Sequence, residues 1–255
     1  MITSGIFFKN FKSKKQNSNI KKKFQNLISE NDFIIKSLGK SYKDNFKKKN
    51  FKKYKNYKDV RIIGMGGSSL GSKAIYSFLK HKIKKKFVFI NDLSPKAQIE
   101  KKKNHLNLVV SKSGNTIETI INSNIYIQKK DKNIFITEKK KNYLHILGEN
   151  LKAEIIQHNN FIGGRYSVLS EVGMVPAELM GLDSIKFRQL NNLVKNKNYL
   201  NALISNVSAT INLIKKKKFN SVIINYDNKS EDLFSWYQQL IAESLGKKNK
   251  GFLPM

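Results

Sequence analysis

Short apolar runs alternate with stretches of helical spacing from residue 59 onward. The runs are rich in Ile and Val, which is typical of buried β-strands. The predicted strands are Val60–Ile63, Phe87–Ile90, Leu106–Val110, Ile134–Thr137 and Glu154–Gln157. The predicted helices between them are Ser72–Leu79, Thr116–Gln128 and Asn142–Leu147. Strands of this kind, joined by crossover helices, predict an α/β fold with a parallel sheet that is covered on both faces.

The segments on either side of this alternation carry other patterns. Before it, two helices are expected, one from apolar residues at helical spacing and one over Phe33 to Leu38. The residues at helical spacing are Ile20, Phe24, Leu27 and Ile28. After residue 195 a helical segment leads to a predicted strand, Ser221–Tyr226, and a helix, Glu231–Leu245. We therefore expect a basic helical extension (1–58), a first complete domain (59–195) and the beginning of a second, incomplete domain (196–255).

Composition narrows the class of protein. The 255 residues are 40% hydrophobic and 26% charged, which is enough to bury a core and excludes wholesale disorder. No apolar run approaches the ~18 residues that a membrane span needs. Met1 to Phe8 is apolar but is followed at once by lysines, unlike a secretory signal. The absence of cysteine excludes disulfides and thiolate metal sites. We expect a cytoplasmic protein without a membrane partner.

The net charge of +31 raises the question of nucleic-acid binding. Only three of the 49 basic residues are arginines, namely Arg61, Arg165 and Arg188. Base and phosphate recognition in nucleic acids relies strongly on the planar arginine fork. The composition therefore favours a solvated lysine-rich surface over a nucleic-acid site, although such a surface still attracts phosphorylated metabolites.

Aromatic residues alternate with lysines just before the first predicted strand. They are Phe46, Phe51, Tyr54 and Tyr57. Interleaved rings and lysines can bind single-stranded nucleic acid. The pattern more often belongs to a segment that packs its rings onto a neighbouring domain, and this is the interpretation we favour.

The first candidate loop follows the strand that ends at Ile63, and it reads Gly64-Met65-Gly66-Gly67-Ser68-Ser69-Leu70-Gly71. Glycines let the backbone approach an anion, and a following helix presents free N–H groups to it. Ser69 stands where a dinucleotide fingerprint needs glycine, and the Gly-Lys-Ser/Thr of a nucleotide-hydrolase loop is also missing. The loop therefore indicates anion binding, with a structural tight turn as the alternative.

The second candidate loop follows Val110 and reads Ser111-Lys112-Ser113-Gly114-Asn115-Thr116-Ile117-Glu118-Thr119. Hydroxyls at Ser111, Ser113 and Thr116 stand beside a flexible glycine and a helix start. Hydroxyl donors, backbone N–H groups and a helix dipole that converge in this way hold a phosphate. Helix capping is the alternative. Three hydroxyls in one loop favour phosphate binding.

These loops resemble those of a known family. The two loops are similar to those of the sugar-isomerase fold, a three-layer αβα, flavodoxin-like arrangement that binds phosphosugars. Two later motifs narrow the resemblance to the glucose-6-phosphate isomerase family, in the form of the shorter bacterial isomerases. They are Gly163-Gly164-Arg165-Tyr166-Ser167 and Gln239-Leu240-Ile241-Ala242-Glu243-Ser244-Leu245-Gly246-Lys247. The four motifs stand in the family's order over residues 64 to 247.

The resemblance implies an aldose–ketose isomerase that interconverts glucose 6-phosphate and fructose 6-phosphate. It implies that the phosphate is bound by Ser111, Lys112, Ser113 and Thr116, and that the sugar is contacted by Gly67 and Ser68. Arg165 matches the family's arginine beside the reacting carbons, and Glu243 matches its catalytic base. Gln239 stands four residues before Glu243, on the same helix face, within reach of the same ligand.

The chemistry of isomerisation agrees with these assignments. The reaction removes a proton from a carbon next to a carbonyl and returns it one carbon away, which a carboxylate such as Glu243 can do. The cis-enediolate is anionic, so a guanidinium such as Arg165 stabilises it. Taken singly, Arg165 is equally well explained as a surface residue after a turn, and Glu243 as a solvated charge on a helix. No cofactor and no metal are predicted.

The histidines belong to none of these motifs. In the family a histidine that opens the sugar ring and a lysine near the C-terminus stand further along, and no histidine follows His158 here. We therefore expect the N-terminal portion of such an isomerase, which is a homodimer in its full-length form. A non-catalytic phosphosugar-binding module or inactive fragment is the alternative. An amino-sugar-phosphate isomerase of the same fold is disfavoured by the Arg165 and Glu243 motifs.

Overall fold

The computed structural model describes residues 17–30, 32–93, 104–247 and 251–255. Met1 to Phe8, discussed above as a possible signal, lies outside the described residues. A parallel five-stranded sheet is formed by β1 to β5, with helices on its connections. The strands are β1 (Asp59–Ile63), β2 (Lys86–Ile90), β3 (Leu106–Val110), β4 (Lys132–Thr137) and β5 (Glu154–Gln157). All five predicted strands are confirmed, and three of them begin one or two residues earlier than expected.

Helices occupy the expected positions around this sheet. The three helices predicted between the strands are α3 (Leu70–Leu79), α4 (Ile117–Tyr126) and α5 (Tyr143–Asn150). The helix that follows them, α6 (Glu171–Leu179), was not predicted. The remaining helices are α1 (Ser18–Ser29), α2 (Phe33–Ser37), α7 (Leu190–Lys195), α8 (Lys197–Lys215) and α9 (Glu231–Leu245). Short 3₁₀ turns are Lys48–Tyr54, Gly66–Ser68, Lys80–Lys82, Gly164–Leu169, Ser184–Phe187 and Asn228–Ser230. Among the described residues, no helix is long and apolar enough to span a membrane.

The three central strands, β1, β3 and β4, are buried on both faces of the sheet. Successive residues Ile62 and Ile63 of β1 point to opposite faces, and both are fully buried. One face carries Ile63, Val109 and Phe135, and these pack with Tyr126 of α4 and Leu144 of α5. Continuous burial explains why the strands read as apolar runs rather than as an alternation.

Compact packing divides the described residues into two units. One comprises the described residues from Lys43 to Ser184, together with Ile224–Leu240, and contains the sheet. The other comprises the described residues up to Tyr42, Ile185–Ile223 and those from Ile241 onward. The three domain ranges given above stay a prediction.

In the sheet unit, the aromatic segment is part of the core. Phe51 and Tyr54 are buried, and their ring centroids lie 6.5 Å apart. The Tyr54 hydroxyl donates to Glu154 Oε2 at 2.9 Å, and burial together with this carboxylate raises the pKa of Tyr54. The packing interpretation is confirmed for these two rings.

The strand predicted over Ser221–Tyr226 is wrong beyond its first residue. The structure has a two-residue strand, β6 (Asn220–Ser221), paired in parallel with β7 (Leu253–Pro254). Val222, Ile224 and Tyr226 are 67%, 71% and 93% exposed. Alternating apolar residues favour a strand only where a partner strand supplies hydrogen bonds, and β7 supplies them for a very short length.

Candidate functional site

The direction in which strands are added to the sheet reverses between β1 and β3. The order is β2-β1-β3-β4-β5, so the chain leaves β1 toward one side of the sheet and β3 toward the other. Parallel α/β sheets bind ligands outside the carboxyl ends of their strands at such a reversal. A Cβ on Gly64 would lie 2.8 Å from the carbonyl oxygen of Val110, so the ends of the two strands are in close contact. The two candidate loops begin here, the first at Gly64 and the second at Ser111.

The first loop is a fixed 3₁₀ turn. Gly66 has φ +51°, a left-handed conformation that favours glycine. A Cβ there would also lie 3.0 Å from Nε2 of Gln239, so the amide of α9 lies directly against the turn. The Ser68 N–H donates to Met65 O and the Ser69 N–H to Gly66 O, each at 3.0 Å. This position of Gln239 is consistent with its predicted reach toward the sugar ligand, which stays a prediction.

The Gly-Gly-Arg segment lies against the first loop. A Cβ on Gly67 would lie 2.4 Å from the Gly164 carbonyl carbon and 2.9 Å from the Arg165 nitrogen. Ser167 Oγ donates to Gly164 O at 2.7 Å and reaches Gly67 O at 3.3 Å. The Arg165 guanidinium lies 4.6 Å from the centre of the Tyr166 ring, a cation–π geometry. The backbone of the predicted catalytic arginine is therefore adjacent to the predicted sugar-contacting turn.

The second loop places two hydroxyls together. Ser111 is 2% exposed, and its Oγ lies 2.8 Å from Oγ1 of Thr116. The Gly114 N–H donates to Ser111 Oγ at 3.2 Å, and the Ser113 Oγ accepts from the Asn115 N–H at 3.3 Å. Thr116 is the N-cap residue of α4, yet its side chain makes no capping bond. Helix capping therefore does not explain the hydroxyl of Thr116. This hydroxyl lies at the amino end of α4, where the helix dipole favours an anion.

Lys112 points to other partners in this structure. Its ammonium donates to the Asn160 carbonyl at 2.7 Å and lies 3.7 Å from Glu138 Oε1. Burial lowers the pKa of the nearby His158, and the positive charge of Lys112 lowers that pKa further. A phosphate at the loop would thus compete with Glu138 for this lysine.

Glu243 lies on the last turns of α9, one helical turn after Gln239. The division into units falls between these two residues, so Gln239 belongs to the sheet unit and Glu243 to the other. Eight of the nine predicted site residues therefore belong to the unit that contains the two loops.

The sequence analysis did not identify Asn142, whose side chain packs against Gly114 of the second loop. Gly114 has φ +69°, and a Cβ there would lie 1.9 Å from Asn142 Oδ1. The Asn142 amide donates to Thr137 Oγ1 at 3.1 Å, and its Oδ1 accepts from the His145 N–H at 2.9 Å. The available signal was an asparagine directly before a helical stretch, which marks an N-cap. Within the described ranges, no group of three or more His, Asp or Glu residues is placed to hold a metal ion.

Comparison with known proteins decides the family. A profile described as Phosphoglucose isomerase matches residues 11–251. The chain belongs to the phosphoglucose isomerase family. The profile covers all four motifs that carried the resemblance, including the loop with Ser111 and the helix with Glu243.

Curated relatives agree with this family. The chain is 34% identical over 236 residues to a glucose-6-phosphate isomerase of Methanocaldococcus jannaschii, which covers 84% of this chain and 58% of the relative. It is 33% identical over 231 residues to a glucose-6-phosphate isomerase of Acholeplasma laidlawii, covering 78% and 53%. The chain therefore spans about half the length of the curated relatives it matches.

Solved structures agree on the fold. A hypothetical protein of Thermus thermophilus superposes with a TM-score of 0.72 at 21% identity, covering 93% of this chain and 63% of that one. The tagatose-6-phosphate ketose/aldose isomerase of Escherichia coli superposes with a TM-score of 0.53 at 14% identity, covering 81% and 59%. At these identities the likeness concerns the fold, and it confirms the predicted α/β sugar-isomerase architecture.

Proposed function

We propose that this chain contributes the phosphosugar-binding loops and the proton-transferring carboxylate of a glucose-6-phosphate isomerase. The substrates are glucose 6-phosphate and fructose 6-phosphate, which interconvert through a cis-enediolate. The observation that carries the proposal is the hydroxyl pair of Ser111 and Thr116, held 2.8 Å apart at the start of α4 beside the strand reversal. The name shared by the curated relatives supports the choice of substrate.

The second loop binds the phosphate group in this proposal. The hydroxyls of Ser111, Ser113 and Thr116 donate to its oxygens, and the start of α4 adds its positive dipole end. Lys112 adds a full positive charge after it exchanges its partner Glu138 for the phosphate. Hydrogen bonds to a charged group are stronger than those between neutral groups, which favours the phosphorylated sugar over the free sugar.

The first loop and the Arg165 segment bind the reacting end of the sugar. Gly67 and Ser68 contact its hydroxyl groups, and Gln239 extends from α9 toward the same turn. Arg165 stabilises the negative charge of the enediolate, since a fixed guanidinium is always protonated. The ring of Tyr166 contacts this guanidinium in cation–π geometry.

Glu243 acts as the base. In the direction from aldose to ketose it removes the proton from C2 of the open-chain sugar, and the enediolate forms. The hydroxyl proton on O2 passes to O1, and the protonated carboxyl of Glu243 then delivers a proton to C1, which leaves the carbonyl at C2. The reverse direction uses the same steps in the opposite order. The proposal requires no cofactor, and it includes a homodimeric, cytoplasmic enzyme with a small sugar phosphate as its ligand and no nucleic-acid partner.

Calorimetric titration with fructose 6-phosphate tests the phosphate site. The double variant Ser111→Ala/Thr116→Ala is expected to lose about 1–3 kcal/mol of binding free energy, because hydrogen bonds to a charged group are removed. Thr116→Ser retains the hydroxyl and is the matched control, with affinity close to that of the wild type. Equal affinity of the double variant and the wild type, with both folded, would reject this phosphate site.

Exchange of the C2 proton with deuterated solvent tests the base. Glu243→Gln is expected to lower both exchange and isomerisation at least ~10²-fold, which is typical of the loss of a positioned general base. A near wild-type rate in this variant would exclude Glu243 as the base. A wild-type chain that binds fructose 6-phosphate and catalyses neither reaction would favour the non-catalytic phosphosugar-binding module.

A further inference from the structure

A cavity opens at the amino edge of the sheet, opposite to the candidate site. Its volume is about 660 Å³, and it lies at the amino ends of β4 and β5. It is lined by Lys53, Tyr54, Tyr57, Lys129, Lys130, Asp131, Lys132, Asn133, Leu151, Lys152, Ala153 and Glu154. The length of β4, about 17 Å at ~3.3 Å per residue, separates this cavity from the carboxyl edge where the two loops begin. All of the lining residues belong to the sheet unit.

The lining carries an excess of positive charge. Five of its residues are lysines and two are carboxylates, Asp131 and Glu154. Glu154 Oε2 is already engaged by the Lys53 ammonium at 2.7 Å and by the Tyr54 hydroxyl at 2.9 Å. The lining therefore contains more lysines than carboxylates, and its formal charge is positive.

The carboxylate of Asp131 contacts Arg61 of β1 and two residues at the start of β3. Its Oδ2 lies 3.7 Å from the buried guanidinium of Arg61 and accepts from Asn107 Nδ2 at 3.0 Å. Its Oδ1 accepts from the His105 N–H at 3.0 Å. The Asp131 carboxylate is therefore engaged by a buried guanidinium and by two N–H donors.

Hydrogen bonds within the sheet fix the base of the cavity. Asn133 is 6% exposed, and its Oδ1 accepts from Asn107 Nδ2 at 2.9 Å. The Lys132 N–H donates to His105 O at 3.0 Å, which fixes the start of β4. A rigid base surrounded by flexible lysine side chains binds a multiply charged anion with little loss of backbone entropy.

We propose that this cavity binds a small anion that carries two or more phosphate groups, at a site separate from the sugar-phosphate site. Its volume lies within the ~300–1,000 Å³ that is usual for ligand sites. Lysine ammonium groups act as compact point charges for phosphate, and several of them around one cavity favour a multivalent anion over a single phosphate. A single strand of nucleic acid fits less well, because it needs successive stacking rings and the Tyr54 ring is buried.

The test uses the full chain and inorganic tripolyphosphate, followed by calorimetry, with orthophosphate as the single-phosphate comparison. Lys129→Gln/Lys132→Gln is expected to weaken tripolyphosphate binding about tenfold or more, because two charge-assisted contacts are lost. Lys82→Gln/Lys84→Gln is the matched control, since it removes the same charge from exposed positions before β2. The control is expected to change the affinity less than about twofold.

Three results would overturn the proposal. Equal weakening by the two lysine pairs would show binding to the overall charge of the protein. Loss of tripolyphosphate binding in Ser111→Ala/Thr116→Ala, with no effect of Lys129→Gln/Lys132→Gln, would place the anion at the second loop. Binding of a single-stranded oligonucleotide, but not of tripolyphosphate, at the same salt concentration would assign the cavity to nucleic acid.

Discussion

Replacement of Gly67 by alanine tests the contact between the first loop and the Arg165 segment. The backbone of Gly67 is outside the left-handed region, so alanine adopts its conformation without strain. The added Cβ would lie 2.4 Å from the carbonyl carbon of Gly164, 2.5 Å from its oxygen and 2.9 Å from the Arg165 nitrogen. All three atoms belong to the backbone, so no side-chain rotation relieves the overlap.

The expected cost follows from this overlap. Carbon atoms in contact are separated by about 3.5 Å, so the two segments must move apart by about 1 Å. Overpacking of this kind costs about 1–3 kcal/mol. For a chain of this size each kcal/mol lowers the melting temperature by about 2–4 °C. The movement also displaces Arg165 from the sugar, so fructose 6-phosphate affinity is expected to fall together with stability.

Gly164→Ala is the matched control, because it changes the other partner of the same contact. A Cβ on Gly164 points away, and its nearest neighbour is the Gly67 Cα at 4.0 Å, an ordinary contact. Thermal denaturation and calorimetric titration of the two variants give the comparison. If Gly67→Ala melts at the same temperature as Gly164→Ala and binds fructose 6-phosphate equally well, the close approach of these segments is refuted.

Two further predictions concern buried charge. His158 is 1% exposed, and burial lowers its pKa below the usual ~6.5. The unfolded chain therefore takes up a proton at this residue more readily than the folded chain. The free energy of unfolding then decreases as the pH falls below ~6.5. His158→Gln is expected to reduce this loss in urea unfolding, and an unchanged pH dependence would contradict the assignment. Asp131→Asn deprives the buried Arg61 of its carboxylate and is expected to cost about 3–5 kcal/mol in the same assay. A cost below about 1 kcal/mol, the usual value of an exposed pair, would show that the ion pair contributes little.

The central strands of the sheet were predictable because burial on both faces leaves a direct trace in the sequence. Leu106–Val110 is buried throughout and is a strand over the predicted residues, since short apolar runs bounded by polar residues have few other stable conformations. The same reasoning failed at Ser221–Tyr226. There the local pattern is equally apolar, but a strand also depends on a partner, and the position of a partner is not a local property.

The loops of the candidate site were predictable from the sequence, but the contacts of the first loop with a distant segment were not. Loops that follow parallel strands meet at one edge of the sheet, so the proximity of the Gly67 and Ser111 loops follows from the fold. The contact of Gly67 with Gly164 joins segments about 100 residues apart, as the Ser167 hydrogen bond to Gly67 shows. No period or spacing in the sequence encodes such a contact.

Lys112 shows how the choice of partner depends on tertiary structure. The sequence places it between Ser111 and Ser113, two serines predicted to bind phosphate, which predicts an ammonium directed at the ligand. In the structure the same ammonium donates to Asn160 and lies near Glu138, which the end of β4 and the loop after β5 bring beside it. In the proposed site, this carboxylate 3.7 Å away would compete with phosphate for one positive charge, so the phosphate affinity would depend on Glu138 as well as on the loop. That dependence arises from two neighbouring strands, and only the folded chain reveals it.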